Sequence, residues 1–148
     1  MLDRLFKSFA KDRGEETPDE DALPRAVAAL LVEAARADEE YTDEERGLID
    51  RILMGQFRLS AEGAADLRAR AEAAQAEAND LYQFSRVVKD ALDRDGKMQL
   101  VEDMWRVVLT DEERDPHEEM VIRRLIGLIH LEDTDSTAAR RRAEASAE

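Results

Sequence analysis

Four carboxylates in this chain fall into two matched pairs. Asp38 and Glu45 are separated by the same interval as Asp111 and Glu118, and the second pair lies 73 positions after the first. Carboxylate oxygens are the ligands that Ca²⁺, Mg²⁺ and Mn²⁺ prefer. The flanking residues repeat as well: Ile49 matches Ile122 and Arg51 matches Arg124. Each pair follows a helix-like apolar segment and leads straight into another. A tight loop between two helices could therefore turn both side chains of a pair toward one point. A structural role accounts for part of the same pattern. Thr42-Asp43-Glu44-Glu45 reads as a capping box with Thr42 as N-cap and Glu45 at N3. Asp115, Pro116 and Glu118 fit N-cap, N1 and N3 of the later helix. Acidic side chains at helix starts are also favoured by the helix dipole. Both readings stand at this level: a divalent-cation site at Asp38, Glu45, Asp111 and Glu118, or helix caps on a solvated surface.

Other chemistries find little support. Asp93-Arg94-Asp95-Gly96 begins like a calcium-binding loop, but its glycine comes two positions early and Lys97 follows. His117 and His130 are the only histidines. His117 has Glu44 as its counterpart, so the repeat assigns it no shared role, and His130 near a helix C-terminus suits the dipole. The chain has no cysteine, which removes thiol catalysis, thiolate metal sites and disulfides. No nucleophile elbow or Ser, His and Asp order is visible. Paired carboxylates in so acidic a chain do not point to acid–base catalysis. The expectation is a protein that is not an enzyme. Tyr41, Tyr82, Phe84 and Trp105 read as packing residues, because no basic residues interleave with them as in a base-stacking surface.

The 148 residues carry a formal net charge of -14, with 43% hydrophobic and 39% charged side chains. That balance fits a folded helical domain, and argues against nucleic acid, whose phosphates are held by Lys and Arg. It suits cations or a basic protein partner. No apolar run approaches the ~20 residues that span a bilayer. The first residues are interrupted by Asp3, Arg4 and Lys7, unlike a signal peptide. A cytoplasmic location is expected.

The elements that would position these residues follow from periodicity. Leu2, Leu5, Phe6 and Phe9 form one face of an amphipathic N-terminal helix over residues 1–14, with Arg4, Lys7, Lys11 and Arg13 on its other face. Residues 15–21 form an acidic linker. A helical domain is expected over 22–142, with a polar, frayed tail at 143–148. Leu23, Val27, Leu30, Leu31 and Ala34 make the stripe of its first helix. Leu48, Ile49, Ile52 and Leu53 carry the second toward Gly55. Ser60 caps an alanine-rich third, and Asn79 or Asp80 opens a fourth with Leu81, Phe84, Val88 and Ala91 inward. Asp93 to Gly96 reads as a turn. Leu100, Val101, Met104, Trp105 and Val108 line the next helix, and Val121, Ile122, Leu125, Ile126 and Ile129 the one after it. A last helix starts near Ser136. No segment alternates with period two, so the class is all-α. The N-terminal helix needs a surface: the domain itself, a second copy, a protein partner, or a peripheral membrane contact.

Ala37-Asp38 followed by Glu45, Leu48, Ile49 and Ile52, together with Asp111 followed by Glu118, Ile122 and Leu125, resembles the TerB-like tellurite-resistance family, in its small stand-alone bacterial branch. Leu31-Val32-Glu33-Ala34-Ala35-Arg36 and Met104-Trp105-Arg106-Val107-Val108 extend the likeness, which covers roughly Asp21 to Arg142. The resemblance implies a bundle of about seven helices with an internal pseudo-two-fold. It also implies a metal-binding acidic cluster and a setting in tellurite or other stress responses, often near membrane complexes, without implying an enzyme. Glu39 and Glu112 stand where family members commonly have Gly. The functional expectation is a non-enzymatic module that binds a divalent cation through its duplicated acidic loops. The alternative is a scaffold docking through residues 1–14, with the loops purely structural.

Overall fold

A computed structural model describes residues 21–37, 40–77, 82–110 and 116–146, without the side chains of 116–118. The expected N-terminal helix, the linker up to Asp21 and the opening of the fourth helix at Asn79 or Asp80 lie outside these residues. Seven helices make up the described structure, and no strand occurs among the described residues. They are α1 (Ala22–Arg36), α2 (Asp43–Phe57), α3 (Ala61–Glu77), α4 (Tyr82–Ala91), α5 (Arg94–Val108), α6 (Pro116–Leu128) and α7 (Asp133–Ser146).

Local caps set most helix starts. Thr42 carries the expected capping box at α2. Ser60 Oγ accepts the Gly63 N–H at 3.0 Å at the start of α3. Pro116 occupies the first position of α6, where a missing N–H leaves no bond unmade. Asp93 to Gly96 is not a turn. Asp93 is the N-cap of α5, its Oδ1 accepting the Gly96 N–H at 2.8 Å, so the glycine sits inside the first helical turn. The last helix begins at Asp133 rather than Ser136, because Asp135 reaches back to accept the Glu132 N–H at 2.8 Å. It also runs on to Ser146: Ala143 is buried against the domain, while residues 144–146 are helical but exposed.

α1 is the centre of the bundle. It packs on α2, α3, α4, α5 and α6. Every residue from Ala26 to Val32 is buried, as are Ala34 and Ala35. A single apolar stripe was expected. Burial extends around the whole helix because alanines at 26, 28, 29, 34 and 35 let neighbouring backbones approach on several sides. Ala64 and Ala71 of α3 lie fully buried in the same core, and α1 makes its most extensive contact with α3. In the other half, α5 relies most on α7. Trp105 Nε1 donates to Ser136 Oγ at 3.1 Å, and the Arg140 guanidinium lies 4.9 Å from the Trp105 ring centre. The expected inward residues of α5 and α6 are all buried. On α4, Phe84 and Val88 are buried, but Ala91 is exposed, because α4 ends there and turns away at Leu92.

α2 and α6 end alike. Arg58 and His130 adopt left-handed φ values of 52° and 65°. The next residues, Leu59 and Leu131, donate back to Met54 O at 3.2 Å and Ile126 O at 2.9 Å. This six-residue loop closure satisfies helix-end carbonyls and usually uses glycine at the left-handed position.

Candidate functional site

The connection from α1 to α2 carries the first acidic pair. Thr42 leaves the loop in an extended conformation, φ −87° and ψ 162°. Its hydroxyl oxygen accepts the Glu45 N–H at 3.1 Å. Glu45 Oε1 in turn accepts the Thr42 N–H at 2.8 Å and the Thr42 hydroxyl at 3.1 Å. Glu45 is only 2% exposed, one of four buried polar residues among those described. Its carboxylate is therefore fixed at the helix start rather than free in solvent.

Tyr41, just before the cap, ties the loop to α3. Two guanidinium groups lie over its ring, Arg46 at 4.2 Å and Arg36 at 5.2 Å from the centroid. Its hydroxyl donates to Glu72 Oε2 at 2.6 Å. Arg68 donates to the same oxygen at 3.0 Å and to Asp50 Oδ1 at 2.6 Å, which joins α2 to α3. Arg36 adds bonds to the Glu72 carbonyl at 3.2 Å and Gln75 Oε1 at 2.7 Å, and Gln75 donates to Glu33. Burial, then the bond to Glu72, pushes the Tyr41 hydroxyl well above its usual range. Burial works to raise the Glu72 carboxyl, but the bonds from Tyr41 and Arg68 outweigh it and hold it low. The Asp50 bond, opposed by burial and reinforced by Glu72, strengthens the Arg68 cation. At neutral pH the Tyr41 phenol is therefore neutral, and it donates to a Glu72 carboxylate held charged beside the Arg68 cation.

In the second half, the Thr110 hydroxyl donates to Val107 O at 2.7 Å and closes the end of α5. Asp38 and Asp111 lie outside the described residues, as do the side chains of His117 and Glu118. Of the four residues expected to hold a cation, Glu45 is thus the one whose side chain can be placed. Among the described residues, no three His, Cys, Asp or Glu side chains come together as a metal cluster. Glu45 nevertheless suits a divalent cation chemically. It is an oxygen donor whose orientation is held by a second set of hydrogen bonds, as in carboxylates that ligate metals.

The Tyr41, Glu72, Arg68 and Asp50 cluster was missed at the sequence level. Arg68 and Glu72 are spaced for an i,i+4 pair, which was the one local signal. The core acid Asp103 was missed too. Its spacing from Leu100, Met104 and Val107 places it on the apolar face of α5, where a lone acid stands out.

Residues 24–141 match the family model of tellurite resistance protein TerB. The chain belongs to the TerB family. The match runs from the first turn of α1 well into α7, so both acidic loops of this TerB-family domain fall inside it. No curated protein and no solved structure matches the chain. No described helix is long and apolar enough to cross a membrane.

Proposed function

We propose that this chain is a non-enzymatic module of a tellurite- or stress-resistance system that holds a divalent cation at its two acidic loops. Glu45 would contribute an oxygen already oriented by Thr42, with Asp38, Asp111 and Glu118 as the other oxygen donors. The ion would supply a concentrated positive charge that draws together loops of like charge. The observation that carries this reading is the correspondence of the two halves. Helices starting at 22, 43 and 61 are followed by helices starting at 94, 116 and 133, offsets of 72, 73 and 72. The left-handed ends at Arg58 and His130 fall in the same register. We take this as an internal duplication, in which the preorganised carboxylate of one loop has its equivalent in the other.

The test is thermal unfolding of metal-free protein with Ca²⁺, Mg²⁺ or Mn²⁺. A ligand bound only to the native state raises stability by RT ln(1 + [L]/Kd). The melting temperature should rise with the ion, and the combined Asp38→Asn and Asp111→Asn substitutions should abolish the rise. Unchanged melting in millimolar ions would end the metal reading.

The capping box favours a second reading, because it gives Thr42 and Glu45 a complete structural role. In that case the loops are structural, and the chain is a cytoplasmic scaffold that docks on a protein partner, a second copy or a membrane surface through residues 1–14. Deleting those residues should then abolish partner capture or liposome sedimentation without altering metal response.

A further inference from the structure

Asp103 is 1% exposed and sits on α5 among core residues. A buried carboxylate is costly unless a counter-charge meets it. Its two shorter bonds come from neutral amides: Gln99 Nε2 donates to Oδ1 and Gln56 Nε2 to Oδ2, both at 3.0 Å. Among the described residues the cation that meets it is Arg106, which makes a longer bond to Oδ1 at 3.4 Å and lines a different groove together with Arg51. Asp103 also lines a separate cleft of about 150 Å³ between α1, α2 and α5. Val27, Phe57 and Leu100 supply its apolar walls, and Gln56, Gln99 and Asp103 its polar groups.

With both amide nitrogens turned onto Asp103, the carbonyl oxygens of Gln56 and Gln99 have no donor among the described residues. The cleft is therefore rich in acceptors, carries a buried negative charge, and is otherwise apolar. An apolar pocket with a few converging polar groups and a perturbed buried acid is the usual form of a small-ligand site. A cavity of this volume takes a benzene-sized molecule. Gln56 is exposed, so its side chain can turn over, freeing the Asp103 carboxylate and presenting its own carbonyl to a ligand, without disturbing the helices.

We propose that this cleft binds a small primary ammonium ion with a short alkyl body, its charge meeting the Asp103 carboxylate and its N–H groups meeting the Gln56 and Gln99 carbonyls. The site lies apart from the acidic loops and does not depend on their binding a metal.

The experiment titrates the full chain with n-butylammonium, following backbone and glutamine side-chain amide signals by NMR. Neutral n-butanol serves as the isosteric control. Saturable shifts are expected at Gln56, Gln99, Val27 and Leu100, with n-butanol at least about tenfold weaker. So acidic a protein attracts cations everywhere, so the shifts must concentrate at the cleft. Asp103→Asn should weaken binding about tenfold or more while leaving the spectrum folded. Val27→Phe, which narrows the cleft but keeps the carboxylate, should do the same and serves if the first variant does not fold. Shifts spread over the acidic surface, equal binding of n-butanol, or unchanged affinity in a folded variant would overturn the proposal.

Discussion

Replacing Asp103 by Asn should stabilise this protein at neutral pH. Burial, the largest cause, pushes the Asp103 carboxyl up from 3.8 to about 6. Bonds from Gln99 and Gln56 and the charge of Arg106 oppose that rise, and the charge of Glu102 adds to it. Because the folded value is raised, the contribution of the protonated acid is fully present below the unfolded value of 3.8. It is lost as the pH climbs through about 6. That rise corresponds to about 3 kcal/mol as an upper limit on the cost of the charge above that range. Asn removes the charge and keeps the shape. It gives up the long Arg106 contact, and its own amide needs an acceptor, which either glutamine can supply by turning over. A net gain of about 1–2 kcal/mol at pH 7.5 is expected, or about 3–8 °C in melting temperature for a chain of this size. At pH 4 the gain should shrink toward zero. Urea unfolding of both proteins at pH 7.5 and pH 4 measures it. An Asn variant less stable than the parent at pH 7.5, or a difference equal at both pH values, would refute the assignment of burial as the dominant influence.

Three further outcomes follow from the fold. Arg58→Gly and His130→Gly should each add about 0.5–1 kcal/mol, since a left-handed residue other than glycine carries steric cost, and thermal unfolding of the single and double variants checks it. Tyr41→Phe removes the donor to Glu72 but keeps the ring contacts with Arg36 and Arg46, so a loss of about 1–2 kcal/mol is expected in urea titration, and a larger loss for Tyr41→Ala. Leu31→Ala hollows the fully buried centre of α1 and should cost about 2–5 kcal/mol, read from the unfolding midpoint.

What the sequence could determine alone were features whose causes lie within one turn of helix. Thr42 with Glu45, Ser60 with Gly63, and Pro116 at a first position set helix starts through neighbours three or four residues away. The stripe from Leu100 to Val108 and that from Val121 to Ile129 marked the core because helical periodicity needs no distant partner. The duplicated Asp and Glu spacing brought the family into view for the same reason. Tertiary structure decided the rest. α1 is buried on every side because five helices surround it, a fact no single stripe can encode. Tyr41 meets Glu72 across 31 residues, and Gln56 meets Asp103 across 47. The sequence puts Asp103 on the apolar face of α5, but its bond to Gln56 and its burial depend on how α2 packs against that face. Burial, and with it the energy of a charge, depends on which segments come together in space, whereas caps and periodicity depend on which residues are neighbours in the chain.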